Sequence, residues 1–373
     1  MSFALYRLPY GHEVTLIEQT GGSLQILTSV SQLNGMEGFV IAPFDVTSGN
    51  AGREGVGRDD ACPIVVIRPD VVRTVETKDL TDYTDLMNLS GSLVLDIHEG
   101  GSEESGVGRE AYSRDFRLFH SKLIEGEFEK IVLTRCKTVE RNRTEGGKEG
   151  HTADELFRIF REACERYPRL FVSLVSTSET GTWLAATPEV LLENEGGDRW
   201  HTIALAGTMN YDEMTDGRLW TDKEKAEQRC VAEYIGQFLR RFSDDVHEEG
   251  PVTARAAHLV HLRSDFRFTL LNNARVGDVL QELHPTPAVC GLPKEDTIRF
   301  ILEHEHTPRQ YYSGFMGPLG IGGTHLFVSL RCMNVTTGHY RLYAGGGLLK
   351  ESDEEQEWQE TEAKIDTLAR LLL

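Results

Sequence analysis

Apolar positions along this chain repeat with two different periods. In the first hundred residues the runs EVTLIEQ, GFVIAP and PIVVIRP are short, rich in β-branched residues and bounded by Gly, Pro and Asp, which predicts strands. The stretch EGGSEESGVGRE, from Glu99 to Glu110, has no apolar period and reads as a mobile loop or a subdomain boundary. Beyond it, helical and strand patterns alternate. SRDFRLFHSKLIEGE sets Phe116, Phe119, Leu123 and Ile124 near one helical face, KIVLTRCKTVE predicts a strand, and RNRTEGGKEG predicts a turn or loop. HTADELFRIFREACERYP is a second amphipathic helix, capped at Thr152 and stopped at Pro168. The runs LFVSLVS, TWLAAT, EVLLEN and WHTIALAG follow closely, and the breaks SETG and NEGGD predict an antiparallel meander.

A long helix from Lys223 to Phe242 is announced by the capping box Thr221-Asp222-Lys223-Glu224. DVLQELHPTPAVCGLP reads as a helix entering a Pro/Gly-rich loop, and KEDTIRFILEHE as helical again. FVSLRCMNV and HYRLYAGGG, joined by TTG, predict a hairpin. The last helix starts near Asp353, with Ser352 and Glu355 as a second capping box. No solenoid or propeller repeat is visible. The fold class is α+β or mixed α/β, with 1–105 as a β-rich part of one large domain and 106–373 as its catalytic region.

Composition narrows the function. Of 373 residues, 39% are hydrophobic and 26% charged, the balance of a globular chain with a sizeable core. Lys+Arg total 39 and Asp+Glu 59, so the net charge is −20. That surface disfavours nucleic acid and anionic lipid, although a local cation can reverse the field at one site. No apolar run approaches the roughly 20 residues of a membrane span, and the start lacks the pattern of a secretory signal. The six cysteines are scattered without a CxxC pair, which predicts buried free thiols in a reducing cytoplasm.

Four constellations carry candidate chemistry. Glu224 and Glu227 lie three apart on one helix, and Glu357 and Glu360 three apart on the last. Each pair shares a helical face, so four carboxylates could converge on a hard divalent cation such as Mg²⁺. Solvated helical faces carry such pairs too, and Glu360 with Lys364 is an ordinary i,i+4 spacing. Lys130 opens a strand, either as a charge in water or as a base at a pocket floor, which requires a neutral amine. Glu189, after Thr187-Pro188, is a charged turn residue or a general acid aimed into a cleft. Arg331 lies inside an apolar run, where burial would demand an anionic partner. The turns Ala206-Gly207-Thr208 and Ala344 to Gly347 are expected to follow strands, where they could offer backbone N–H groups to a carboxylate.

These segments together resemble the chorismate-utilising enzymes, which include isochorismate, salicylate, anthranilate and aminodeoxychorismate synthases. The resemblance runs in family order through Lys130-Ile-Val-Leu-Thr-Arg135, Ala186-Thr-Pro-Glu189, Ala206-Gly-Thr208, Lys223-Glu-Lys-Ala-Glu227 and Val260-His-Leu262. It continues through Leu283-His-Pro-Thr-Pro-Ala-Val-Cys-Gly291, Arg309-Gln-Tyr-Tyr-Ser-Gly314, Ser329-Leu-Arg331, Tyr343-Ala-Gly345 and Glu357-Trp-Gln-Glu-Thr361 with Lys364. Gln228 stands where histidine is common, and Cys290 where another small residue is usual.

The resemblance implies two related halves of largely antiparallel sheet flanked by helices, with the site in the cleft between them. It implies Mg²⁺ on Glu227 and Glu360, with Glu224 and Glu357 acting at one remove. Arg331 and Lys364 would meet chorismate's negative charge. Ala206, Gly207, Thr208, His261, Ala288, Val289, Tyr312 and Gly345 would line the pocket. Lys130 would activate water, where ammonia-using relatives carry a neutral residue, and Glu189 would protonate the departing hydroxyl. The implied activity is that of an isochorismate synthase, with menaquinone biosynthesis as the expected pathway. The alternatives are a salicylate synthase, against which Ala288 stands where lyases tend to have threonine, and a siderophore-pathway isochorismate synthase. A cytoplasmic monomer without a glutaminase subunit is expected.

Overall fold

The computed structural model describes residues 2–46, 62–90, 93–99, 108–141, 149–194, 196–270 and 275–373. Residues 100–107 of the acidic Gly/Ser stretch and 142–148 of RNRTEGGKEG, where a mobile loop or boundary and a turn were expected, lie outside the described residues. The chain opens with β1 (Ser2–Arg7), β2 (Glu13–Gln19), β3 (Gln25–Leu27), β4 (Gly38–Ala42), β5 (Ile64–Ile67), β6 (Val71–Glu76), α1 (Tyr83–Ser90) and α2 (Arg109–Ile124). Next come β7 (Lys130–Glu140), α3 (Glu149–Arg166), β8 (Phe171–Thr177), β9 (Gly181–Thr187), β10 (Val190–Asn194), β11 (Arg199–Asn210), α4 (Tyr211–Thr215) and α5 (Asp222–Leu239). Then follow β12 (Val246–Ala256), β13 (Leu259–Thr269), α6 (Val276–Leu283), β14 (Gly291–Leu292) and α7 (Lys294–His304). The chain closes with β15 (Phe315–Leu319), β16 (Thr324–Val328), β17 (Cys332–Val335), β18 (His339–Leu348) and α8 (Glu354–Ala369).

The strands form two nine-stranded sheets, ordered β14-β7-β18-β17-β9-β8-β1-β2-β6 and β12-β13-β11-β10-β16-β15-β4-β5-β3. Every pairing among the described residues is antiparallel. Alternation along the strands sorts the apolar side chains into layers. Phe3 and Leu5 of β1 turn outward onto Leu156 and Phe160 of α3 and Ile365 of α8. Ala4 and Tyr6 turn inward to meet Phe39 and Ile41 of β4 across the gap between sheets. On the far side, Val231, Ile235 and Leu239 of α5 cover Ala204 of β11 and Phe315 of β15. The order is helix, sheet, sheet, helix, which bears out the expected α+β class with both sheets buried on the inside.

The expected meander is split in two. β8 pairs with β9, and β10 with β11, but the chain changes sheet between Thr187 and Val190. FVSLRCMNV divides likewise: its first half ends β16 in the second sheet, and Cys332 begins β17 in the first. The two crossings run side by side. Thr187 Oγ1 donates to Val328 O at 2.6 Å, Val328 N to Glu189 O at 2.9 Å and Ala186 N to Arg331 O at 3.1 Å. Both faces of these strands are buried, so no alternation marked the change of sheet.

Smaller differences concern caps and thiols. The Thr221–Glu224 box is formed in both directions, but Thr152 lies inside α3, past its start at Glu149. Asp353, not Ser352, caps α8 by accepting from Glu355 N and Gln356 N. Ala206–Thr208 and Ala344–Gly347 lie within β11 and β18 rather than after them, since β-pairing continues past both. Among the described residues no two of the six cysteines form a disulfide, and Cys62 and Cys230 are only half-buried. SFALYR, the 246–256 strand and its 259–269 partner are strands that the sequence reading did not assign.

Phe171 of β8 and Phe327 of β16 stack between the sheets with centroids 4.3 Å apart and planes 6° from parallel. Phe327→Ala is expected to cost about 3–5 kcal/mol, because the opposed sheets cannot close the void. Urea denaturation measures it, and a loss below about 1 kcal/mol would show that the sheets do not depend on this contact.

Candidate active site

The crossings open a cavity. Pro188 and Glu189 from one crossing, Leu330 and Arg331 from the other, and Gly345 and Lys364 from β18 and α8 all face it. Ala206, Gly207 and Thr208 reach it through a bulge in the β11–β13 register between Ala206 and Met209, where Gly207 takes φ +70°. His261 of β13, Ala288 and Val289 after α6, Tyr312 before β15 and Glu227 of α5 complete the expected lining. A side chain at Gly345 would meet Tyr312 Oη and Leu133 O at 3.0 Å and fill the space.

Arg331 is 5% exposed and holds φ 47°, a left-handed backbone where a non-glycine residue is strained. Its Nη1 donates to Ala256 O at 3.2 Å and its Nη2 lies 2.5 Å from His261 Nε2. His261 Nδ1 lies 2.8 Å from Gly207 O, so Nδ1 carries the proton and Nε2 accepts from the guanidinium. Burial, then the charges of Arg331 and Lys364, keep His261 well below its ordinary pKa and therefore neutral. Burial lowers Arg331 only to about 10, so it stays charged. Among the described residues no carboxylate pairs with it. A buried cation without an acidic partner is a strong demand for an anion.

Glu189 is 2% exposed, and its carboxyl makes no hydrogen bond or ion pair among the described residues. Burial pushes its pKa up to about 8, against the opposing pull of Lys130, Lys364 and Arg331. The group therefore holds a proton at neutral pH, as a general acid must. It is not the solvated turn residue that its local sequence also allowed.

Lys130 is fully buried rather than a strand end in water. It lies behind Gly347 of β18, where an added Cβ would come within 2.8 Å of its Cε, and its Nζ is 3.1 Å from Glu227 Oε1. That contact is an ion pair without hydrogen-bond alignment. Glu224, Glu357 and Glu360 border an adjoining recess that shares Thr208, Glu227 and Gly347 with the cavity. Each carboxylate has a cation: Glu224 has Arg218 at 2.9 Å, Glu357 has Lys223 at 2.5 Å and Glu360 has Lys364 at 2.7 Å. Burial and then Glu360's charge push Glu357 up, whereas at Glu360 burial, the largest single influence, is outweighed by Lys364, Lys223 and Thr208 together, which hold the pKa down.

Three of these carboxylates converge on glycine backbone. A Cβ on Gly346 would sit 2.9 Å from Glu357 Oε2 and 3.8 Å from Glu360 Oε1, and one on Gly347 would collide with Glu227. Their hard oxygen donors suit Mg²⁺ in kind. As the side chains stand, no three acidic, His or Cys groups among the described residues are close enough to hold a metal. Arg218, which pairs with Glu224, and Leu205 of the lining carried no sequence signal beyond ordinary helix and strand pattern.

Residues 82–373 match the family described as chorismate binding enzyme. The chain belongs to that family. It is 30% identical over 279 residues to isochorismate synthase MenF of Escherichia coli, covering 72% of this chain and 62% of that protein. To the salicylate biosynthesis isochorismate synthase of Pseudomonas aeruginosa it is 31% identical over 266 residues, 68% of this chain and 52% of that one. The chain thus spans less than two thirds of the length of these relatives. The solved structure of the menaquinone-specific isochorismate synthase MenF of Escherichia coli superposes with a TM-score of 0.75 at 21% identity, covering 100% of this chain and 89% of that one, which shows the shared fold. No helix among the described residues is long and apolar enough to cross a membrane.

The Glu189 carboxyl sets a pH dependence of stability. Its pKa is about 8 folded and about 4.3 in an unfolded chain, so between those values the folded state alone keeps the proton and stability falls as pH rises. The slope approaches about 1.4 kcal/mol per pH unit. Glu189→Gln removes the titration, so its stability advantage over the wild type should grow by roughly 2–3 kcal/mol from pH 6 to pH 8 and then level off. Parallel urea denaturation curves at the two pH values test this, and a constant gap would contradict a buried neutral carboxyl.

Proposed function

We propose that this chain is an isochorismate synthase, which isomerises chorismate by adding water at ring C2 and losing the C4 hydroxyl as water. The observation that carries the reading is the pairing of Arg331, buried without an acidic partner, with a protonated Glu189 in one cavity. Arg331 and Lys364 offer positive charge to the substrate's carboxylates, and His261, held neutral and fixed by Gly207, orients the guanidinium. Glu189 delivers its proton to the departing C4 oxygen. Lys130 is the base for the attacking water, a role that requires its amine to be unprotonated and released from Glu227, and in the reverse direction Lys130 and Glu189 exchange roles.

Glu227 and Glu360 would hold Mg²⁺, with Glu224 and Glu357 at one remove, since the carboxylates of Glu227, Glu357 and Glu360 meet at Gly346 and Gly347 and Glu224 borders the same recess. Bound there, the ion would supply positive charge for the ring carboxylate. Ala288 presents a methyl group to the cavity, which can donate no hydrogen bond toward pyruvate elimination. Menaquinone synthesis is the proposed destination of the product, supported by the likeness to MenF.

Purified protein with chorismate and Mg²⁺ should yield a chorismate–isochorismate mixture, with little pyruvate and no amino-substituted ring when ammonium is added. Chromatography with a lactate dehydrogenase assay for pyruvate decides this, and stoichiometric salicylate plus pyruvate would move the assignment to salicylate synthase. Excess chelator should abolish turnover. Lys130→Ala and Glu189→Gln should each lower kcat by about 10²–10⁴-fold with an unchanged circular dichroism spectrum. Near wild-type turnover in either folded variant would remove that residue from its role.

A further inference from the structure

We propose that the buried ion pair Glu305–Arg309, which lies outside the cavity lining, is a positioning element that locks three walls of the cavity into one geometry. The pair is bidentate, with Arg309 Nε 2.6 Å from Glu305 Oε2 and Nη2 2.7 Å from Oε1, and the side chains are 3% and 2% exposed. The rest of the guanidinium fork is spent on main chain. Nη1 donates to Val289 O at 2.6 Å and Nη2 to Val132 O at 2.8 Å. Glu305 Oε1 accepts a further bond from Thr134 N at 2.7 Å, and the guanidinium lies 4.3 Å from the centre of the Phe44 ring. Val132 and Val289 are cavity walls from β7 and from the loop after α6. The third wall, Tyr312, donates its N–H to Arg309 O at 2.8 Å.

Two features assign geometry rather than stability to this pair. Buried ion pairs contribute little net stability, because desolvation offsets the attraction, and apolar replacements are often neutral or better. The turn that Arg309 begins is also strained. Gln310 and Ser313 hold φ 51° and φ 60° without being glycine. Such outliers persist where the surroundings over-determine them, and they gather at functional sites. The turn is tied onward: Ser313 N donates to Ser329 O at 2.9 Å, in the crossing that carries Arg331, and Phe44 N to Gln310 O at 3.0 Å. Arg309 therefore couples the Ala288–Val289 wall, the strand of Lys130 and the Arg331 crossing through one planar fork.

Lysine cannot reproduce that fork, although it keeps the charge opposite Glu305. The inference rests on the chorismate-binding reading of the cavity but not on which product leaves it. In the full chain, Arg309→Lys is expected to keep a cooperative thermal transition within a few degrees of the wild type. Chorismate kcat/KM, measured well below that transition, should fall at least tenfold. Glu305→Gln/Arg309→Met leaves no buried charge and retains an acceptor for Thr134 N. It should melt higher than Arg309→Met alone while kcat/KM stays at least tenfold low. Wild-type kcat/KM in Arg309→Lys, or recovery of both melting temperature and kcat/KM in the double variant, would overturn the proposal and leave a structural pair. Should the wild type bind chorismate without turnover, the isochorismate synthase reading fails by itself. The chorismate Kd from calorimetry then replaces kcat/KM, with a tenfold weakening in Arg309→Lys expected and an unchanged Kd overturning the proposal.

Discussion

The structure turns on two antiparallel strands that change sheet together. Three hydrogen bonds bind Ala186–Glu189 to Val328–Arg331, so neither segment can move between layers without the other. Two closely packed sheets would otherwise leave about 10 Å filled with interdigitated apolar side chains and no room for a ligand. The double crossing interrupts that filling. It also fixes which residues look inward, because the residues at the crossing belong to neither pleat. Glu189 and Arg331 are held by their backbones at a depth that their side chains would not choose.

Charge follows from that placement. A net −20 protein repels a dianion at long range, so attraction has to be local. At about 4 Å, a pair of unit charges gains on the order of 4 kcal/mol at an effective dielectric of 20, against about 1 kcal/mol in water. Lys364, Lys130 and the cations on α5 are already matched to glutamates. Arg331 is not. Its field therefore falls on whatever enters the cavity, and on Glu189 and His261. Yet burial dominates at both, since Glu189 sits above its usual pKa despite three cations, and His261 lies far below its own. One acid kept protonated and one imidazole kept neutral are consequences of depth, with charge as the correction.

Most helices were legible because they are amphipathic or capped: both bonds of the Thr221–Glu224 box formed. The motif residues were legible one by one through family order, and twelve of the sixteen expected positions, including Glu227, His261 and Lys364, do line the cavity. What sequence could not show was the change of sheet. β8, β9 and the start of β7 are buried on both faces, so period two is erased where the topology is decided. Pro188 was the local hint, and it read as a turn. Lys130 was ambiguous for a related reason: on its spacing alone a lysine at a strand start could stand in water, and only the fold shows Glu227 of a distant helix 3.1 Å away. The Ser352 cap failed because Asp353 beside it offered an equally good local pattern, and the Thr152 cap because its helix already begins at Glu149.

Three non-glycine residues with left-handed backbone, Gln310, Ser313 and Arg331, surround the same cavity. Glycine would relieve each position, as it does at Gly207. At Arg331 it would also delete the guanidinium that faces His261, so the strain is the condition for having a long cation at that point in the backbone. The same holds for Glu189, a carboxyl whose burial costs folding energy at neutral pH and which nevertheless faces the cavity. Strain and misplaced charge thus gather in one small volume while the apolar layers on either side are conventional. A site of this kind is stable only because the surrounding sheets over-determine it. Their stacked core at Phe171 and Phe327 is therefore part of the chemistry's support, although no atom of either ring faces the cavity.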